Sequence, residues 1–416
     1  MLTKAPKGTK DIIPSEVYKW QYVEKVFKDV CTSFGFEEVR TPVFEHTELF
    51  ERGAGDTSDV VEKQMYTFND KGGRSITLRP EGTSSAVRAF LENNLYAGTL
   101  PVKMFYEMSC FRYERPQAGR MRQFHQFGIE MFGAGGASAD AEIISLAITF
   151  LSKLGLKGLD LNINSIGCPE CRNEYNKKLK EYFSQYSDKL CPTCLSRLER
   201  NPLRILDCKS PECQEIGKDA PVILDHLCDD CKESFEKTKT MLSAMGIKYE
   251  IDTGIVRGLD YYNGIVFEII AGDIGAKSTV CGGGRYDGLV SQLGGQPTPG
   301  IGFGLGIERL LLAMELAGIE IPKPKGIDIF IGTIGEEAKL KAQKLAYELR
   351  QKGIKADIDH LDRSVKAQMK YADKIGAEYT MIIGDTEIEN NKANLKNMLD
   401  GTVKEIEIDK IGEEFI

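Results

Sequence analysis

Apolar residues recur at three- and four-residue steps between Val17 and Phe34, which is the spacing of one face of a helix. The sequence therefore predicts a helix from about Ser15, and Gly35 is a residue type that commonly ends one. A short strand is predicted next at Phe36–Arg40, because a proline follows it and cannot continue a strand ladder.

Two further helices are predicted from dense apolar content, at residues 141–156 and at Glu308–Ala317. Residues 75–79 favour a strand, and a turn leads from it into another helix. Thr83 is the candidate N-cap of that helix, because its hydroxyl can accept a hydrogen bond from a free backbone amide.

The clearest strand pair is predicted at Lys103–Glu114 and Arg122–Phe132, joined by a polar loop at Arg115–Met121. Side chains alternate between the two faces of a strand, so the second strand separates an apolar set from a mostly polar one. The apolar set, which we expect to face a core, is Phe127, Ile129 and Met131. The opposite face carries Phe124, Gln126, Gly128 and Glu130, where the glycine permits a close approach.

The order of predicted elements in the last quarter of the chain differs from that in the rest. Ile321–Lys325 contains two prolines and is predicted to be a linker. Strands and helices then alternate, in the order 327–331, 336–352, 356–358, 365–375 and 379–383. This order predicts a small α/β domain over residues 326–416, whereas residues 1–325 have the mixed order of a larger α+β domain.

Composition excludes several classes of protein. The chain has 416 residues and a net charge of −8, and no run approaches the ~20 apolar residues of a membrane helix. Its first residues lack the apolar segment of a secretory signal, so we expect a cytoplasmic location and no membrane partner. Any contact with nucleic acid must come from local basic patches, because the overall charge is negative.

Eight of the 11 cysteines lie within residues 168–231, in a predicted insertion at about 168–245. A reducing compartment disfavours disulfides, and the spacings suit structural zinc. The first candidate set is Cys168, Cys171, Cys191 and Cys194, and the second is Cys208, Cys213, Cys228 and Cys231. The two sets can also interleave, and thiols without metal are the alternative. Zinc would stabilise an insertion that has little core of its own.

Four arginines surround the loop of the predicted hairpin: Arg112, Arg115, Arg120 and Arg122. Arginine binds phosphate through paired charge-assisted hydrogen bonds, so this cluster is a candidate phosphate site, with Phe124 placed to stack on a base. The alternative is a solvated sheet on which these arginines pair with Glu107 and Glu114.

Glycine alternates with apolar residues in Gly300–Leu311, and a helix follows. Such glycines admit a ligand or another backbone, and Arg309 lies in the first helical turn, where free amides favour anions. Tight packing of the strand on the helix is the alternative. Arg257–Glu268 and Cys281–Leu289 also place charges and tyrosines beside glycine, which alone indicates a site only weakly.

These segments together resemble the class II aminoacyl-tRNA synthetases, and specifically the histidyl-tRNA synthetase family. The helix and strand that end at Pro42 resemble motif 1, the dimer interface of the class, while Phe111–Glu130 resembles motif 2 and Gly300–Leu311 resembles motif 3. Arg257–Tyr262 and Gly283–Gly288 resemble segments particular to the histidine enzymes. The resemblance covers essentially the whole chain. It implies a catalytic core on a mixed, mainly antiparallel sheet with flanking helices, followed by an anticodon-binding α/β domain.

The resemblance also implies a histidine site. Glu81 and Thr83 would hold the α-ammonium group with help from Gln126, and Glu130 and Tyr262 would bind the imidazole. An acid and a hydroxyl can match the two different ring nitrogens of an imidazole. The implied histidine-binding residues are Glu81, Gly82, Thr83, Gln126, Glu130, Tyr261, Tyr262 and Tyr286, with Gly304 in the pocket wall.

For ATP, the resemblance implies Arg112 on the α-phosphate, Arg309 on the γ-phosphate, Phe124 stacked on adenine and Arg120 in the motif 2 loop. Arg257 would contact the α-phosphate and the carboxylate, so Arg112 and Arg257 are the implied catalytic residues. The histidine carboxylate would attack the α-phosphorus without a general base, aided by arginines and Mg²⁺. The resulting adenylate would then pass histidine to the cognate tRNA.

The implied assembly is a homodimer. Between Lys339 and Lys374 there are ten Lys/Arg and five Asp/Glu, within a domain of 14 basic and 18 acidic residues. This local basic face suits contact with RNA, although lysine-rich helices are often merely solvated.

Two other functions are alternatives to the ligase. A non-catalytic, synthetase-like regulatory subunit is disfavoured because Arg112, Arg257, Arg309 and the C-terminal domain are present. Another class II specificity is disfavoured by the two tyrosine-bearing segments.

Overall fold

The computed structural model describes residues 3–55, 58, 60–271 and 278–415. The chain forms two compact units, Met1–Ile321 and Pro322–Ile416. The division lies in the proline-containing segment that was predicted to be a linker. None of the helices in the described ranges is long and apolar enough to cross a membrane.

The first unit contains two sheets. Its strands, in chain order, are β1 (Glu37–Glu38), β2 (Phe44–His46), β3 (Tyr66–Asn69), β4 (Ser75–Leu78), β5 (Val102–Phe111), β6 (Gln123–Phe132), β7 (Leu159–Ser165), β8 (Glu250–Ile251), β9 (Asn263–Ala271), β10 (Ser278–Arg285) and β11 (Gly300–Gly306). The large sheet has the order β1-β5-β6-β11-β10-β9-β7-β8, and the small one has the order β2-β4-β3. In the large sheet β1–β5 and β7–β8 pair in parallel and the other described pairs are antiparallel, which confirms the predicted mixed, mainly antiparallel sheet.

Ten α-helices surround these sheets: α1 (Pro14–Ser33), α2 (Thr47–Ala54), α3 (Thr83–Glu92), α4 (Ala137–Lys153), α5 (Pro169–Ser184), α6 (Pro192–Arg200), α7 (Pro211–Gly217), α8 (Asp229–Ala244), α9 (Leu289–Gln292) and α10 (Ile307–Leu316), as counted over the described residues. The first agrees with the predicted helix and ends before Gly35, whose φ of 77° lies in the left-handed region that glycine favours.

The hairpin β5–β6 carries the main core on one of its faces. Phe127, Ile129 and Met131 are buried, as predicted, and pack with α1, α4 and α10 in a single apolar cluster. The Phe27 ring of α1 stacks on Phe127 with centroids 4.3 Å apart. Helix α3 covers part of the opposite face, where Phe90 stacks on Phe132 with centroids 4.7 Å apart.

The insertion consists of α5 to α8 and has a core of its own. Tyr175, Leu179 and Phe183 of α5 pack against residues of α6 and of the 3₁₀ turn Pro202–Ile205. Val256, which follows β8, belongs to the same cluster. The insertion is therefore packed against the chain that leads into β9.

The second unit is an α/β domain. Its elements are β12 (Ile329–Thr333), α11 (Glu336–Gln351), β13 (Ala356–Ile358), α12 (Val365–Lys374), β14 (Tyr379–Ile383), α13 (Asp385–Asn390), β15 (Lys392–Asn397) and β16 (Val403–Glu407). The sheet order is β13-β12-β14-β15-β16, parallel through β14 and antiparallel beyond it. The alternation of elements through β14 agrees with the prediction, whereas the final antiparallel pair was not predicted.

Three local predictions were wrong. Thr83 does not cap α3: Gly82 is the N-cap, and Thr83 is the first helical residue. The helix predicted at 141–156 begins at Ala137, because small residues in its first turn carry little apolar signal. The first strand is confined to Glu37–Glu38 rather than Phe36–Arg40, since its pairing with β5 covers those two residues.

Candidate active site

The candidate site lies on the face of the large sheet that α1 and α4 leave open. Residues directly opposite each other on paired strands share a face. Tyr106 of β5 lies opposite Gly128 of β6, which lies opposite Gly304 of β11. Gly304 lies opposite Gly282, and Gly282 lies opposite Glu268. This row has glycine on its three central strands and large polar side chains at both ends.

The alternating glycines of β11 make room for side chains of the site. A Cβ atom at Gly302 would overlap the Glu130 carboxylate, and one at Gly304 would overlap the Gln126 amide. A Cβ atom at Gly300 would likewise overlap the Tyr286 ring. The glycine segment therefore makes room for functional side chains of neighbouring strands. The sequence alone had offered two other reasons for these glycines, namely close approach of a ligand or another backbone, and tight packing of the strand on the helix.

Glu130 is at the centre of the site and is fully buried. The Tyr106 hydroxyl donates a hydrogen bond to its Oε1 over 2.9 Å, and the Tyr286 hydroxyl donates to its Oε2. Burial raises the pKa of Glu130 to about 8, although hydrogen bonds from Tyr286, Thr83 and Tyr106 oppose the rise. Such a group is poised to exchange a proton or a hydrogen bond with a ligand near neutral pH.

Three aromatic rings form one wall of the site. The rings of Tyr261 and Tyr262 have centroids 4.6 Å apart, and Tyr286 meets Tyr261 edge-on at 5.6 Å. Tyr286 is held by its neighbour Arg285, which forms a buried ion pair with Asp140 of α4. The three tyrosines are all buried, and the Tyr286 hydroxyl reaches the Glu130 carboxylate.

Glu81 holds the start of α3. Its two carboxylate oxygens accept the backbone N–H groups of Thr83 over 2.6 Å and of Ser84 over 2.9 Å. These are free amides of the first helical turn, and the carboxylate also complements the helix dipole. Gly82 packs against the Tyr106 ring, where a Cβ atom would overlap it. The predicted residues Glu81, Gly82 and Thr83 therefore lie beside Tyr106 and Glu130.

At the loop end of the β5–β6 hairpin, Arg112, which directly follows β5, and Phe124 and Gln126 of β6 occupy the open face. The Arg112 guanidinium lies 5.2 Å from the centroid of the Phe124 ring, and its Nε donates to the Pro80 carbonyl over 2.8 Å. These contacts hold the guanidinium over the ring. The Gln126 side chain accepts a weak hydrogen bond from Cys110 over 3.5 Å.

The remaining arginines form a connected network. Arg257 donates to Glu268 over 2.5 Å, and the Thr279 hydroxyl donates to the other Glu268 oxygen over 2.7 Å. Arg309 in turn donates to the Thr279 carbonyl over 2.8 Å. The Nε of Arg257 is buried and has no hydrogen-bond partner among the described residues, which leaves a donor for a ligand.

Arg120 approaches this network from the hairpin loop. It lies 3.7 Å from the Glu114 carboxylate, and a Cβ atom at the adjacent Gly119 would lie 3.7 Å from Arg309. Burial lowers the pKa of Arg309, and the nearby positive charge of Arg120 lowers it further. Two neighbouring cations favour binding of an anion.

The structure thus brings every sequence-predicted histidine- and ATP-binding residue to one sheet face or its borders. Sequence reasoning missed three members of the site: Tyr106, Glu268 and Thr279. The alternation of β5 places Tyr106 opposite Gly128, and this pairing of a large residue with glycine was the available indication. Glu268 and Thr279 depend on the pairing of β9 with β10, which the sequence does not specify.

The eight clustered cysteines form two groups, and the sequence-based grouping was wrong. Each group has its four sulfur atoms within 4.8 Å of one another. The first, which we name the root group, is Cys168, Cys171, Cys228 and Cys231. The second, the tip group, is Cys191, Cys194, Cys208 and Cys213. The sets are nested because α5 and α8 begin side by side, at Cys168 and Cys228, where the insertion leaves and rejoins the sheet.

Each group has features of a thiolate site. Sulfur atoms of Cys168 and Cys171 are 3.5 Å apart, and those of Cys191 and Cys208 are 3.8 Å apart. Backbone amides donate to sulfur as well, from Cys228 to Cys171 over 3.1 Å and from Cys191 to Cys213 over 3.3 Å. Amide donors and helix N-termini both stabilise negative sulfur.

Comparison with known proteins identifies relatives over the full length. The family profile for histidyl-tRNA synthetase matches residues 8–170 and 212–310, and the profile for an anticodon binding domain matches residues 328–416. The histidine–tRNA ligase of Caldanaerobacter subterraneus subsp. tengcongensis is 59% identical over 99% of each chain. That of Clostridioides difficile is 60% identical over 100% of this chain and 99% of its own. A crystal structure of apo S. aureus histidyl-tRNA synthetase superposes with a TM-score of 0.86 at 43% identity, covering 100% of both chains.

Proposed function

The chain belongs to the histidyl-tRNA synthetase family and is a histidine–tRNA ligase, and we propose that it activates histidine on the open face of the large sheet. The enzyme is a class II aminoacyl-tRNA synthetase. It forms histidyl-adenylate from histidine and ATP, and it then transfers the histidyl group to its cognate tRNA. The observation that carries the site assignment is the buried Glu130, ringed by tyrosine hydroxyls on the face that also holds Arg112 and Arg257.

Histidine recognition rests on the pocket around Glu130. In this proposal Glu130 and Tyr262 contact the imidazole nitrogens, while Tyr106 and Tyr286 hold the Glu130 carboxyl group in place. Other amino acids would leave these buried polar groups unpaired, which is costly and therefore selective. The α-ammonium group is proposed to lie beside the Glu81 side chain, near Thr83 and Gln126.

ATP is proposed to bind along the arginines. The Phe124 ring offers a flat surface for adenine, and Arg112 beside it would reach the α-phosphate. Arg309 and Arg120 form the cationic pair for the terminal phosphates. Arg257 carries a free buried N–H donor and would contact the α-phosphate together with the substrate carboxylate.

The proposed reaction needs no general base, because the histidine carboxylate is already ionised. Its oxygen forms a bond to the α-phosphorus while the bond from that phosphorus to the bridging oxygen breaks, and pyrophosphate leaves with the electron pair. Arg112 and Arg257 stabilise the charge that gathers on the α-phosphate oxygens. In the second step a terminal ribose hydroxyl of the tRNA attacks the histidyl carbonyl carbon. The bond from that carbon to the phosphate oxygen breaks, AMP leaves with the electron pair, and the hydroxyl proton is released.

Enzymes of this class use Mg²⁺ with ATP, and we propose that Glu268 is the residue that contacts the Mg²⁺ ion. Magnesium is usually held by one or two carboxylates together with substrate phosphates, and Glu268 lies between the arginines that would bind those phosphates. When bound, the ion would neutralise phosphate charge. Arg257 and Thr279 orient the Glu268 carboxylate.

We further propose one structural zinc ion in each cysteine group. Four thiolates at about 2.3 Å from a tetrahedral zinc lie about 3.8 Å apart, which agrees with the 3.5 and 3.8 Å sulfur separations. The residues therefore fit the metal. The ion would hold the N-termini of the insertion helices together.

A homodimer is proposed because the small sheet has an exposed apolar face. Phe44 and Phe68 lie on that face and are 56% and 48% exposed. An exposed apolar surface of this kind is typical of a protein–protein interface. A cytoplasmic location stays a prediction.

The site assignment is tested by pyrophosphate exchange into ATP with each amino acid in turn. We expect exchange with histidine alone, and Arg257→Gln should lower kcat at least about a hundredfold. Arg52→Gln, which alters an exposed arginine on α2, is the matched control. Undiminished exchange in the Arg257 variant would contradict the site proposal without affecting the family assignment.

A further inference from the structure

The insertion contacts the segment that carries three proposed site residues. This recognition loop, residues 252–262, connects β8 to β9 and includes Arg257, Tyr261 and Tyr262. Val256 within it is buried in the apolar core of the insertion. The loop is therefore shaped on one side by the substrate pocket and on the other by the insertion.

The first polar contact comes from helix α5 beside the root group. Nη1 of Arg172 donates to the backbone carbonyl of Tyr262 over 2.7 Å. Arg172 directly follows Cys171, and Cys171 accepts the amide of Cys228. The backbone next to this contact is paired as well, because Gly264 donates to the Gly167 carbonyl over 3.0 Å. The root group therefore fixes the helix turn from which Arg172 reaches the recognition loop.

The second polar contact comes from the segment between the cysteine pairs of the tip group. Asn201 follows α6 and donates from its side chain to the Asp260 carboxylate over 3.1 Å. A Cβ atom at Gly258 would lie 3.9 Å from Nη1 of Arg204, so this side chain also borders the loop. Asn201 and Arg204 both lie between Cys194 and Cys208, which belong to the same group.

Each cysteine group thus supports one contact to the recognition loop, and the two contacts lie on either side of Tyr261. We propose that the two metal-bound cysteine groups position the recognition loop, so that metal loading sets the affinity for histidine, and that Arg172 is the positioning residue of the root group. This inference rests on the proposed zinc sites and on the proposed histidine contacts of Tyr261 and Tyr262. ATP affinity should depend less on it, since Arg257 is the one proposed ATP contact in the loop, while Arg112, Phe124 and Arg309 lie on other segments.

Arg172 variants test the contact directly. Arg172→Gln should raise the KM for histidine about tenfold at saturating ATP, because the charged hydrogen bond to the Tyr262 carbonyl is removed. The KM for ATP should rise less than the KM for histidine, because Arg257 is the one proposed ATP contact that lies in the loop, and the zinc content should not change. Arg172→Lys keeps a charged donor and should recover part of the loss, whereas Lys178→Gln, an exposed lysine on the same helix, should behave as the unaltered enzyme.

Equal rises in both KM values, or an unchanged histidine KM, would overturn the positioning role. Thermal unfolding of each variant is measured in parallel. Should Arg172→Gln not fold, the comparison of Arg172→Lys with the unaltered enzyme decides in the same way.

The metal dependence is tested separately with Cys231→Ser, by measuring zinc per chain and the calorimetric affinity for histidine without ATP. We expect about one zinc fewer per chain and a weaker affinity for histidine. Loss of zinc with unchanged histidine affinity would overturn the coupling and leave the zinc proposal intact. An unaltered enzyme that contains no zinc would overturn the zinc proposal, while the Arg172 result would still decide whether the insertion positions the loop.

Discussion

At the scale of single residues, the site depends on glycines that make room for large side chains of the neighbouring strand. Gly128 accommodates the Tyr106 ring, Gly302 the Glu130 carboxylate and Gly304 the Gln126 amide. Each large polar side chain can lie flat over the next strand only because that strand has no Cβ at that point. The glycines therefore set the positions of the polar atoms.

Gly304→Ala should weaken histidine binding while the protein stays folded. The new methyl group would displace the end of the flexible Gln126 side chain, so the site loses one proposed contact to the α-ammonium group. We expect the KM for histidine to rise about tenfold with little change in the unfolding temperature. The control is Gly288→Ala, where the added methyl group meets open space. Equal behaviour of the two variants would contradict this account of Gly304.

Glu130→Gln should reduce histidine specificity, and at alkaline pH the variant should be more stable relative to the unaltered enzyme than it is at acidic pH. The raised pKa of Glu130, about 8 against an ordinary 4.5, means that the folded protein holds this proton more tightly than the unfolded chain does. Stability of the unaltered enzyme should therefore fall as pH rises between these values, by up to about 1.4 kcal/mol for each pH unit. Glutamine does not titrate, so the variant should be spared this loss.

The measurement is denaturant unfolding of both proteins at about pH 5 and at about pH 8. The stability difference in favour of Glu130→Gln should grow from the lower pH to the higher. In pyrophosphate exchange, kcat/KM for histidine should fall at least about a hundredfold. A difference in stability that does not change with pH would show that Glu130 is ionised in the folded protein.

At the scale of helices and strands, the sequence predicted what local periodicity controls. The alternation in β6 assigned Phe127 and Ile129 to the core and Gln126 and Glu130 to the open face. The period is confirmed because Phe127 and Ile129 belong to the main apolar cluster, whereas Phe132 of the other face belongs to a separate one. The cap of α3 was wrong because Glu81, outside the helix, supplies the acceptors that a capping threonine would offer. Whether a residue before the helix can replace the cap depends on the path of the chain into the helix, and a local sequence pattern does not specify that path.

The cysteine grouping failed for a related reason. Spacing along the chain favoured joining neighbouring pairs, whereas the root group joins the first pair with the last. Which pairs meet is decided by the packing of α5 against the chain near α8, and this contact is long-range in sequence. Tyr106, Glu268 and Thr279 escaped detection because their roles depend on strand pairing.

Removal of metal should loosen the insertion before it loosens the sheet. Chelation is expected to release about two zinc ions per chain, one from each cysteine group. Hydrogen exchange should then quicken in α6 and α7, which the tip group joins, while β5 and β6 keep their protection because their core lies elsewhere. Release of no zinc, or uniform loss of protection in both regions, would contradict a structural metal confined to the insertion.

At the scale of the whole molecule, two units with separate cores divide the proposed active site from the domain that matches an anticodon binding domain. The small sheet adds a third feature, since its exposed aromatic face is available to a second copy of the chain. Chemistry, tRNA contact and assembly should therefore be separable by substitution.

Phe44→Glu should weaken the proposed homodimer. The change places a charge on the apolar face of the small sheet, where desolvation on association would be costly. Sedimentation at equilibrium should show a dimer for the unaltered enzyme and a larger monomer fraction for the variant. Lys25→Gln, an exposed lysine on α1, is the control. A monomeric unaltered enzyme would overturn the dimer proposal itself.

The basic surface of the second unit should serve tRNA and not amino-acid activation. Lys366, Lys370 and Lys374 are exposed, follow one another at four-residue steps along α12, and form no ion pair with another described residue. By contrast, Lys339 and Lys341 in the same basic stretch already pair with Asp362 and Asp409. The three lysines of α12 therefore form the part of the stretch best able to neutralise phosphates.

Changing Lys366, Lys370 and Lys374 together to glutamine should raise the KM for tRNA several-fold and reduce its dependence on salt, by up to about 0.7 in logarithmic slope for each single-strand phosphate that the variant no longer neutralises. Pyrophosphate exchange, which needs no tRNA, should be unchanged because its proposed residues all lie in the first unit.

The control changes Lys392, Lys404 and Lys410 to glutamine, which removes the same charge from lysines already paired with carboxylates. If both triple variants weaken aminoacylation equally, net charge of the unit matters and the row on α12 does not. If only the α12 variant does so, with the same salt slope as before, the row acts through shape and not through neutralisation of phosphates.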